Sequence, residues 1–137
     1  MSEDRKYLRP GWLTRLTNRV VGALGFVPTL AVRGRTSGEW RTVAVNVLEH
    51  ENARYLVAPR GETEWVRNLR AAGGGELRQR GSVEPFRAIE VADPEKGPLI
   101  AAYREKWDSQ VRRQFAALPR DDDHPVFLIQ PTDELAQ

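Results

Sequence analysis

The sequence has no cysteine among its 137 residues, and it has only two histidines, His50 and His124. The absence of cysteine excludes disulfide bonds, thiolate metal sites and cysteine nucleophiles. Two histidines without an HExxH-type spacing are too few for a usual catalytic metal centre unless several carboxylates join them, so we predict no metal site. His50 lies in a polar stretch and His124 precedes a proline, and both are interpreted as bystanders.

The sequence also lacks a long apolar segment. No uninterrupted apolar run reaches the length of about 18 residues that a membrane-spanning helix needs. Arg15, Asn18 and Arg19 interrupt the apolar residues near the N-terminus, which is unlike a signal peptide. We therefore expect a cytoplasmic protein.

The composition that remains is typical of an ordinary globular domain. Hydrophobic residues make up 40% of the chain and charged residues 29%. The charge is uneven, since residues 1–80 carry 14 basic and 8 acidic side chains, whereas residues 81–137 carry 7 basic and 11 acidic ones. The N-terminal part of the chain is therefore expected to attract anions.

Hydrophobic periodicity and turn residues predict a series of strands with helices inserted between them. The first predicted elements are a helix at 12–25, a strand at 29–33, a second strand around Val43, Val45 and Val47, a polar turn at 49–52 and a third strand at 54–58. A helix follows at 62–72 and is ended by three glycines, and a hairpin is predicted at 77–80 and 83–91. The last predicted elements are one broken or two short helices at 95–107 and 109–118 and a strand at 125–130. This order indicates a mainly β fold with peripheral helices (α+β), arranged as a small antiparallel barrel.

The most informative segment is the turn at residues 33–41, with the sequence Arg-Gly-Arg-Thr-Ser-Gly-Glu-Trp-Arg. It carries three arginines and two small hydroxyls, and it joins two predicted strands. The backbone N–H groups of such a turn, together with hydroxyls and guanidinium groups, form a cradle for a phosphate or a carboxylate. The Walker spacing is absent, and a solvated hairpin turn is the alternative interpretation.

A second anion-binding segment is predicted where the third strand leads into a helix. Pro59, Arg60 and Gly61 form a bend directly before the helix, so the unpaired N–H groups of the helix N-terminus lie next to Arg60. Trp65 follows one turn later and could cover a planar ring. Trp65 and Leu69, at i,i+4 spacing, also fit ordinary core contacts.

Two further features have alternative interpretations. The arginines of the 67–80 region form either a nucleic-acid-binding face or a solvated basic face, and the shortage of nearby aromatic residues favours the solvated face. This group consists of Arg67, Arg70, Arg78 and Arg80. We therefore expect no nucleic-acid partner.

The amphipathic helix at 12–25 packs either on the core or on a membrane, and core packing is favoured.

Together, the turn and the bend resemble the deazaflavin-dependent nitroreductase family. The resemblance covers about residues 28–92 and rests on a strand, Gly-Arg-x-Ser-Gly-x-x-Arg, a strand, a turn, a strand ending in Val-Ala, and Trp-x-x-Asn-Leu. The closing strand at 124–129 also fits. The resemblance implies a split β-barrel of the FMN-binding, pyridoxamine-phosphate-oxidase-like kind. It also implies an oxidoreductase that transfers a hydride from reduced coenzyme F420 to a quinone, a nitroaromatic compound or another electron-poor acceptor.

The resemblance further implies which residues bind the coenzyme. The turn would hold the phosphate and the acidic tail of the coenzyme on Arg35, Thr36, Ser37, Gly38 and Arg41. The ring would lie along Thr42, Val43, Ala44 and Val45, and the tail or the ring edge would lie on Ala58, Pro59, Arg60 and Gly61. The residues that would close over the deazaflavin are Trp65, Val66 and Asn68. Thr36 stands where the family usually has lysine, and Arg60 is expected to replace that charge. No catalytic residue is assigned, because the coenzyme carries the chemistry.

Two alternatives use the same barrel, namely an FMN-binding oxidoreductase and a non-catalytic cofactor-binding protein. A small basic nucleic-acid-binding module is an alternative outside the family. The expected partner is a small-molecule acceptor, and a homodimer is the expected assembly. We expect one split-barrel domain over residues 1–137, with an N-terminal helical segment at 1–27, the barrel core at 28–92 and the C-terminal helices and last strand at 93–137.

Overall fold

The computed structural model describes residues 27–132, so the helix predicted at 12–25 lies outside the described residues. The described elements are β1 (Thr29–Arg33), β2 (Trp40–Ala44), β3 (Val47–His50), β4 (Ala53–Val57), α1 (Glu64–Ala72), β5 (Gly74–Gln79), β6 (Ser82–Glu90), α2 (Gly97–Ala117) and β7 (Val126–Pro131), with short 3₁₀ turns at Asp93–Glu95 and Asp121–Asp123. None of these helices has the length and hydropathy needed to cross a membrane.

The seven strands form one antiparallel sheet in the order β2-β1-β5-β6-β7-β4-β3. The strands at its two edges, β2 and β3, are separated in the chain by only Val45 and Asn46. Two residues span a short distance even when extended, so the two edges must approach each other. The sheet therefore curls into a half-barrel, as the sequence predicted.

The concave side of the sheet holds the main core, and α1 packs against it. Residues from five strands and from α1 meet there with little or no exposed surface: Leu30, Val32, Val45, Leu56, Ala58, Val66, Leu69, Leu77, Phe86, Phe127 and Ile129. Because side chains alternate along a strand, every second residue contributes to this core. Burying α1 here places its N-terminus beside the turn between β1 and β2.

The other side of β3, β4 and β7 is covered by α2. Leu99, Ile100, Tyr103, Val111 and Phe115 of this helix are buried against the sheet. The helix is broken at Trp107, where φ is −121° and ψ is 30°, which confirms the prediction of a broken helix. The chain after this helix returns through β7 to the middle of the sheet, between β6 and β4.

The structure corrects the second predicted strand. Val43, Val45 and Val47 do not share one strand, because β2 ends at Ala44 and β3 begins at Val47. At the break, the N–H of Val45 donates to the carbonyl oxygen of Pro28 over 3.1 Å. This bond directs Val45 into the core at the point where the sheet turns back on itself.

Other element boundaries also differ from the prediction, most of them by one to three residues. The polar turn is confined to Glu51 and Asn52, whose φ angles are 51° and 68°, while residues 49 and 50 belong to β3. Helix α1 begins at Glu64, because Thr63 at its N-cap has an extended backbone. Gly73 alone ends that helix, and the next two glycines belong to β5. A Cβ atom on Gly75 would lie 2.5 Å from the carbonyl oxygen of Ala31, which explains the glycine in that strand.

Candidate functional site

The turn between β1 and β2 is closed by its own backbone. The N–H of Gly34 donates to the carbonyl oxygen of Glu39 over 2.8 Å, and the N–H of Gly38 donates to the carbonyl oxygen of Gly34 over 2.9 Å. The Ser37 hydroxyl accepts the N–H of Glu39 over 3.1 Å. That hydroxyl keeps its own proton available for donation. The turn thus presents an ordered hydroxyl donor on an exposed surface.

Arg35 joins this turn to α1. Its backbone N–H donates to Oδ1 of Asn68 over 3.0 Å, and its Nη1 donates to the same oxygen over 2.8 Å and to Oε1 of Glu64 over 2.9 Å. Asn68 is 6% exposed, so the acceptor is held by its packing. These contacts use the protons of Nη1 and leave those of Nε and Nη2 for a ligand. The structure therefore brings the turn at 33–41 together with α1, although Arg35 and Asn68 are 33 residues apart in the sequence.

The Glu64 carboxylate lies within electrostatic reach of three guanidinium groups. The hydrogen bond from Arg35 is the main cause that lowers the pKa of Glu64, and the charges of Arg35, Arg67 and Arg41 lower it further. Arg41 and Arg67 are exposed, and their guanidinium groups form no hydrogen bond or ion pair with other residues in the range 27–132. The cluster of Arg35, Arg41, Arg67 and Glu64, which we call the arginine cluster, therefore has an excess of positive charge facing solvent.

The bend at residues 58–61 is held by backbone hydrogen bonds. The N–H of Ala58 donates to the carbonyl oxygen of Pro125 over 2.9 Å, and the N–H of Gly61 donates to the carbonyl oxygen of Ala58 over 3.2 Å. Gly61 has a φ of 83°, a conformation that favours glycine. Ala58 and Gly61 are buried, while Arg60 between them is exposed. The bend is thus a fixed support that presents one arginine.

Thr63 occupies the N-cap position of α1 without capping it. Its backbone is extended, its hydroxyl forms no capping bond, and Oγ1 is buried without a hydrogen-bond partner among the described residues. A buried hydroxyl without a partner is costly. An anionic ligand at this helix N-terminus would supply an acceptor for the hydroxyl and for the free N–H groups beside it. The observed donors therefore fit an acidic cofactor.

The remaining residues of the expected site differ in exposure. Thr36, Gly38, Thr42 and Ala44 are exposed, Val43, Pro59 and Trp65 are half-buried, and Val45 and Val66 are buried in the barrel core. Trp65 packs on the core ring of Phe127, with the ring centroids 6.3 Å apart. It keeps part of its surface exposed, so core packing and contact with a ligand are compatible for this residue.

The arginines grouped at 67–80 do not form one basic face. Arg70 donates to both Glu62 and Glu90, over distances of 2.7 to 3.2 Å, and these carboxylates raise its pKa. Arg78 pairs with Glu76 over 2.9 Å and lies 5.0 Å from the ring of Trp40. The alternative of a nucleic-acid face is therefore not supported by these side chains. Arg67 belongs instead to the arginine cluster.

The sequence interpretation missed the surroundings of His124, which it treated as a bystander. This residue is fully buried, with Nδ1 3.0 Å from the carbonyl oxygen of Ala58 and Nε2 2.7 Å from the carbonyl oxygen of Leu118. Its ring stacks on Phe115 with the centroids 4.1 Å apart. Only the tertiary structure places this histidine behind the bend. The sequence signal was limited to a histidine next to a buried strand.

Comparisons with known proteins agree with this architecture. The sequence profile of the F420H2-dependent quinone reductase family matches residues 12–128. A structure described as a domain-swapped dimer has a TM-score of 0.58 and 18% identity, over 87% of this chain and 97% of that chain. An F420-H2 dependent reductase, FDR-A, has a TM-score of 0.57 and 20% identity, over 76% of this chain and 93% of that chain.

A FAD-binding protein of Mesorhizobium loti is also similar, with a TM-score of 0.51 and 16% identity, over 85% of this chain and 88% of that chain. At these identities the structural likeness shows the fold alone, and it confirms the predicted split β-barrel. No curated protein matches the chain.

Proposed function

Because the chain belongs to the F420H2-dependent quinone reductase family, we propose that it transfers a hydride from reduced coenzyme F420 to a small electron-poor acceptor, such as a quinone or a nitroaromatic compound. The chain is an F420H2-dependent reductase, and its cofactor is coenzyme F420. The family description favours a quinone as the acceptor.

The observation that carries the proposed site is the positive charge of the arginine cluster. Coenzyme F420 has a phosphate and an acidic oligoglutamate tail, and guanidinium groups bind such oxygens with charge-assisted hydrogen bonds. The guanidinium groups of Arg41 and Arg67 have no hydrogen-bond partners among the described residues, so no ion pair has to be broken before they bind the ligand. We assign them to the tail, and Arg35 to both the tail and the link with α1.

The remaining assignments follow the shape of the site. Ser37 donates its hydroxyl proton to the phosphate, and Arg60 adds a positive charge from the bend. Strand β2 is open to a ligand because Arg41, Thr42 and Ala44 are exposed. Trp65 offers the exposed part of its ring to the deazaflavin.

The chemistry of the reaction belongs to the coenzyme, which supplies the hydride when bound. The protein binds the acidic tail, orients the ring against the acceptor and excludes water from the apolar side. It needs no nucleophile of its own, which agrees with a chain that has no cysteine. Positive groups near the ring would stabilise the negative charge that develops on the acceptor.

A titration of the purified protein with coenzyme F420, followed by tryptophan fluorescence, tests the proposed site. We expect quenching by the deazaflavin, and quenching should be largely lost in Trp65→Phe but retained in Trp107→Phe, whose ring packs on Tyr103 at 4.8 Å. Arg41→Ala and Arg67→Ala should each weaken binding about tenfold, as expected for losing a charge-assisted hydrogen bond.

Arg113→Ala is the matched control, because Arg113 is an exposed arginine of α2 whose side chain has no hydrogen bond or ion pair among residues 27–132. The Arg113→Ala variant should bind coenzyme F420 as tightly as the wild type does. The site assignment would be wrong if all three alanine variants bound equally well. Quenching by FMN and not by the deazaflavin would favour the flavin alternative. Oxidation of the reduced coenzyme by a water-soluble quinone, but not without acceptor, tests the hydride transfer.

We also propose that the protein is a single split-barrel domain that forms a homodimer. One similar structure is described as a domain-swapped dimer. The large hydrophobic side chains exposed in the described part of the chain, Trp40, Val83 and Ile89, are 38%, 50% and 43% exposed. The strand register places all three on the convex side of the sheet, where a second subunit would cover them. Sedimentation equilibrium of the full chain tests this assembly.

A further inference from the structure

A cavity of about 450 Å³ lies on the convex side of the sheet, beside the first turn of α2. Its apolar lining comes from β4, β6, β7 and α2, and includes Tyr55, Ile89, Leu99 and Leu128. The register places Tyr55, Leu128 and Ile89 side by side across three strands. Clefts that hold small molecules have volumes of about 300–1,000 Å³, so this space can admit an aromatic ring. We call it the outer cavity.

Carboxylates also line the outer cavity. Glu90 is paired with Arg70 over 2.7 Å, and the carboxylate of Glu51 lies 3.9 Å from Nε2 of His50. Glu95 is exposed and forms no ion pair within the described part of the chain. An apolar space edged by negative charge fits an aromatic group that is accompanied by a cation. The sheet carries such a group elsewhere on its convex side.

Trp40 of β2 is a partly exposed aromatic side chain beside two guanidinium groups. The centroid of its ring lies 4.1 Å from Cζ of Arg33 and 5.0 Å from Cζ of Arg78. Arg78 is neutralised by Glu76, at 2.9 Å. Arg33 donates from Nη1 to the carbonyl oxygen of Gly38 over 3.1 Å and has no carboxylate partner among the described residues. Trp40 and Arg33 therefore present an aromatic surface with a positive charge.

Trp40 does not line the outer cavity of its own chain, because its ring lies beside Arg33 of β1 and Arg78 of β5. Both features face the convex side of one sheet, at different strands. In a dimer with a two-fold axis each contact occurs twice, so residue i meets j and j meets i. An axis that passes between the two features therefore brings Trp40 of each subunit to the outer cavity of the other. The charges agree, since Arg33 then meets the carboxylates of that cavity.

Two exposed charges work against this contact. Arg87 lies two residues before Ile89 on the same face of β6, and the two-fold axis would bring the two copies of Arg87 towards each other. Glu39 is exposed directly before Trp40, but it forms no ion pair with Arg33. Solvent screens both charges. We expect a contact of moderate strength, which Arg87→Gln should tighten.

We propose that Trp40 and Arg33 of each subunit occupy the outer cavity of the other subunit, where Arg33 pairs with Glu95. This contact specifies which surfaces form the proposed homodimer. The indole ring is buried against the apolar lining, and the guanidinium group offsets the negative charge at its edge. A few buried aromatic and arginine side chains commonly supply most of the binding energy of an interface.

The contact also reaches the coenzyme site, a consequence that rests on the proposed function. Arg33 and Trp40 stand at the two ends of the turn that carries Arg35 and Ser37. Trp40 and Arg41 are adjacent on β2, so their side chains lie on opposite faces, and Arg41 stays free for the coenzyme. A second subunit that holds both ends of the turn reduces the ordering that the coenzyme must impose. The dimer should therefore bind coenzyme F420 more tightly than the single subunit, and the coenzyme should tighten the dimer by the same factor.

Sedimentation equilibrium of the full chain at several concentrations tests the interface. Trp40→Ala, Arg33→Glu and Glu95→Arg should each raise the dimer dissociation constant about tenfold or more. Arg113→Glu, which reverses a charge on the second half of α2, should dimerise as the wild type does. A wild type that stays monomeric would overturn the proposal. So would a Trp40→Ala variant that dimerises normally, because another segment, such as residues 1–26, would then fill the cavity.

An exchange of the two charges separates loss of the contact from damage to the subunit. The double variant Arg33→Glu with Glu95→Arg restores an ion pair across the interface, so its dissociation constant should return to within about threefold of the wild type. The contacts of Arg33 with Gly38 and Trp40 in its own chain are not restored by this exchange. A double variant that dimerises no better than either single variant would overturn the proposal. This comparison decides the question even if Trp40→Ala does not fold.

Titration with coenzyme F420 tests the link to the site. Glu95 lies outside the turn, so Glu95→Arg leaves the coenzyme-binding residues in place. At a concentration where the wild type is dimeric and Glu95→Arg is monomeric, the variant should bind the coenzyme about fivefold more weakly. Equal affinities would overturn the link and leave the interface in place. A dimer that responds to the charge exchange but binds no coenzyme F420 would mean that the proposed function is wrong and the interface stands.

Discussion

At the scale of single residues, the proposed site depends on an imbalance of charge. Glu64 holds Arg35 in place by a 2.9 Å hydrogen bond, but its carboxylate also reduces the positive potential that Arg41 and Arg67 offer to a ligand. Its side chain is 77% exposed, so solvent screens its charge in part. Glu64 therefore has a positioning effect and an opposing electrostatic effect, which substitution can separate.

We predict that Glu64→Gln binds coenzyme F420 about threefold more tightly at low ionic strength, because the amide oxygen still accepts from Arg35 while the negative charge is removed. Isothermal titration calorimetry checks the affinity. The gain should disappear at high salt. Weaker binding by this variant at low salt would indicate that the Glu64 charge, rather than its hydrogen bond, supports the site.

Arg60 gives a second prediction at this scale. It is exposed in the bend, and its side chain has no hydrogen bond or ion pair within the described part of the chain. If it replaces the charge that Thr36 lacks, Arg60→Glu should weaken coenzyme binding by about tenfold or more, since a repulsive charge replaces an attractive one. Arg113→Glu makes the same change of charge on α2. Equal affinities of the two variants would contradict a role for Arg60.

At the scale of elements, α1 is fastened at both ends by side chains of other segments. Arg35 of the β1–β2 turn bonds Asn68 and Glu64 near its first turns, and Arg70 near its last turn reaches Glu90 of β6. A helix of nine residues is marginal by itself. Its position therefore depends on these contacts and on the burial of Val66 and Leu69 in the barrel. The strands beneath it must lie close together for this packing.

The close approach of β1 and β5 leads to a prediction about Gly75. A Cβ atom there would meet the carbonyl oxygen of Ala31 at 2.5 Å, so Gly75→Ala should lower the free energy of unfolding by about 1–3 kcal/mol. Urea denaturation measures the loss. Gly97→Ala at the start of α2 is the control, because the nearest atom, Oδ2 of Asp121, is 3.8 Å away. A Gly75→Ala variant as stable as the wild type would mean that the strands separate at little cost.

At the scale of the whole molecule, arginine–glutamate pairs join distant parts of the barrel. Arg54 of β4 donates through Nη1 and Nη2 to Glu84 of β6, with 2.9 Å for the Nη1 contact. Arg70 lowers the pKa of Glu62, and Arg54 lowers that of Glu84, in both cases mainly by hydrogen bonding. These carboxyl groups release their protons more readily in the folded than in the unfolded chain.

These pairs make the stability of the fold sensitive to acid. A carboxyl group whose pKa is lowered by folding stabilises the folded state above the pKa of the unfolded chain, and this contribution is lost as the pH falls through the folded-state pKa. We predict that the urea midpoint of the wild type falls as the pH drops below the ordinary pKa range of glutamate, and that the midpoint of Glu84→Gln falls less steeply. Glu105→Gln, which changes an exposed residue of α2, should keep the wild-type slope. Equal slopes for the wild type and Glu84→Gln would exclude this pair as a cause.

The sequence by itself determined the fold class and the motifs of the site. Alternating apolar residues predicted β1 and the hairpin of β5 and β6, because one face of each strand is buried. The glycines of the 34–38 turn and of the bend marked positions where the backbone needs a left-handed or tight conformation, as the φ angles of Gly38 and Gly61 confirm. Local conformation and periodicity depend on neighbouring residues, so a single sequence carries this information.

Only the tertiary structure decided which of these residues meet. It separated Val43 from Val47 at the place where the sheet curls, since curvature depends on strands from the whole chain. It brought Arg35 to Asn68, divided the basic group so that Arg70 is paired, and placed His124 between two carbonyl oxygens. Hydrogen-bond partners and burial at long range depend on the packing of distant segments, and that packing leaves no local pattern in the sequence.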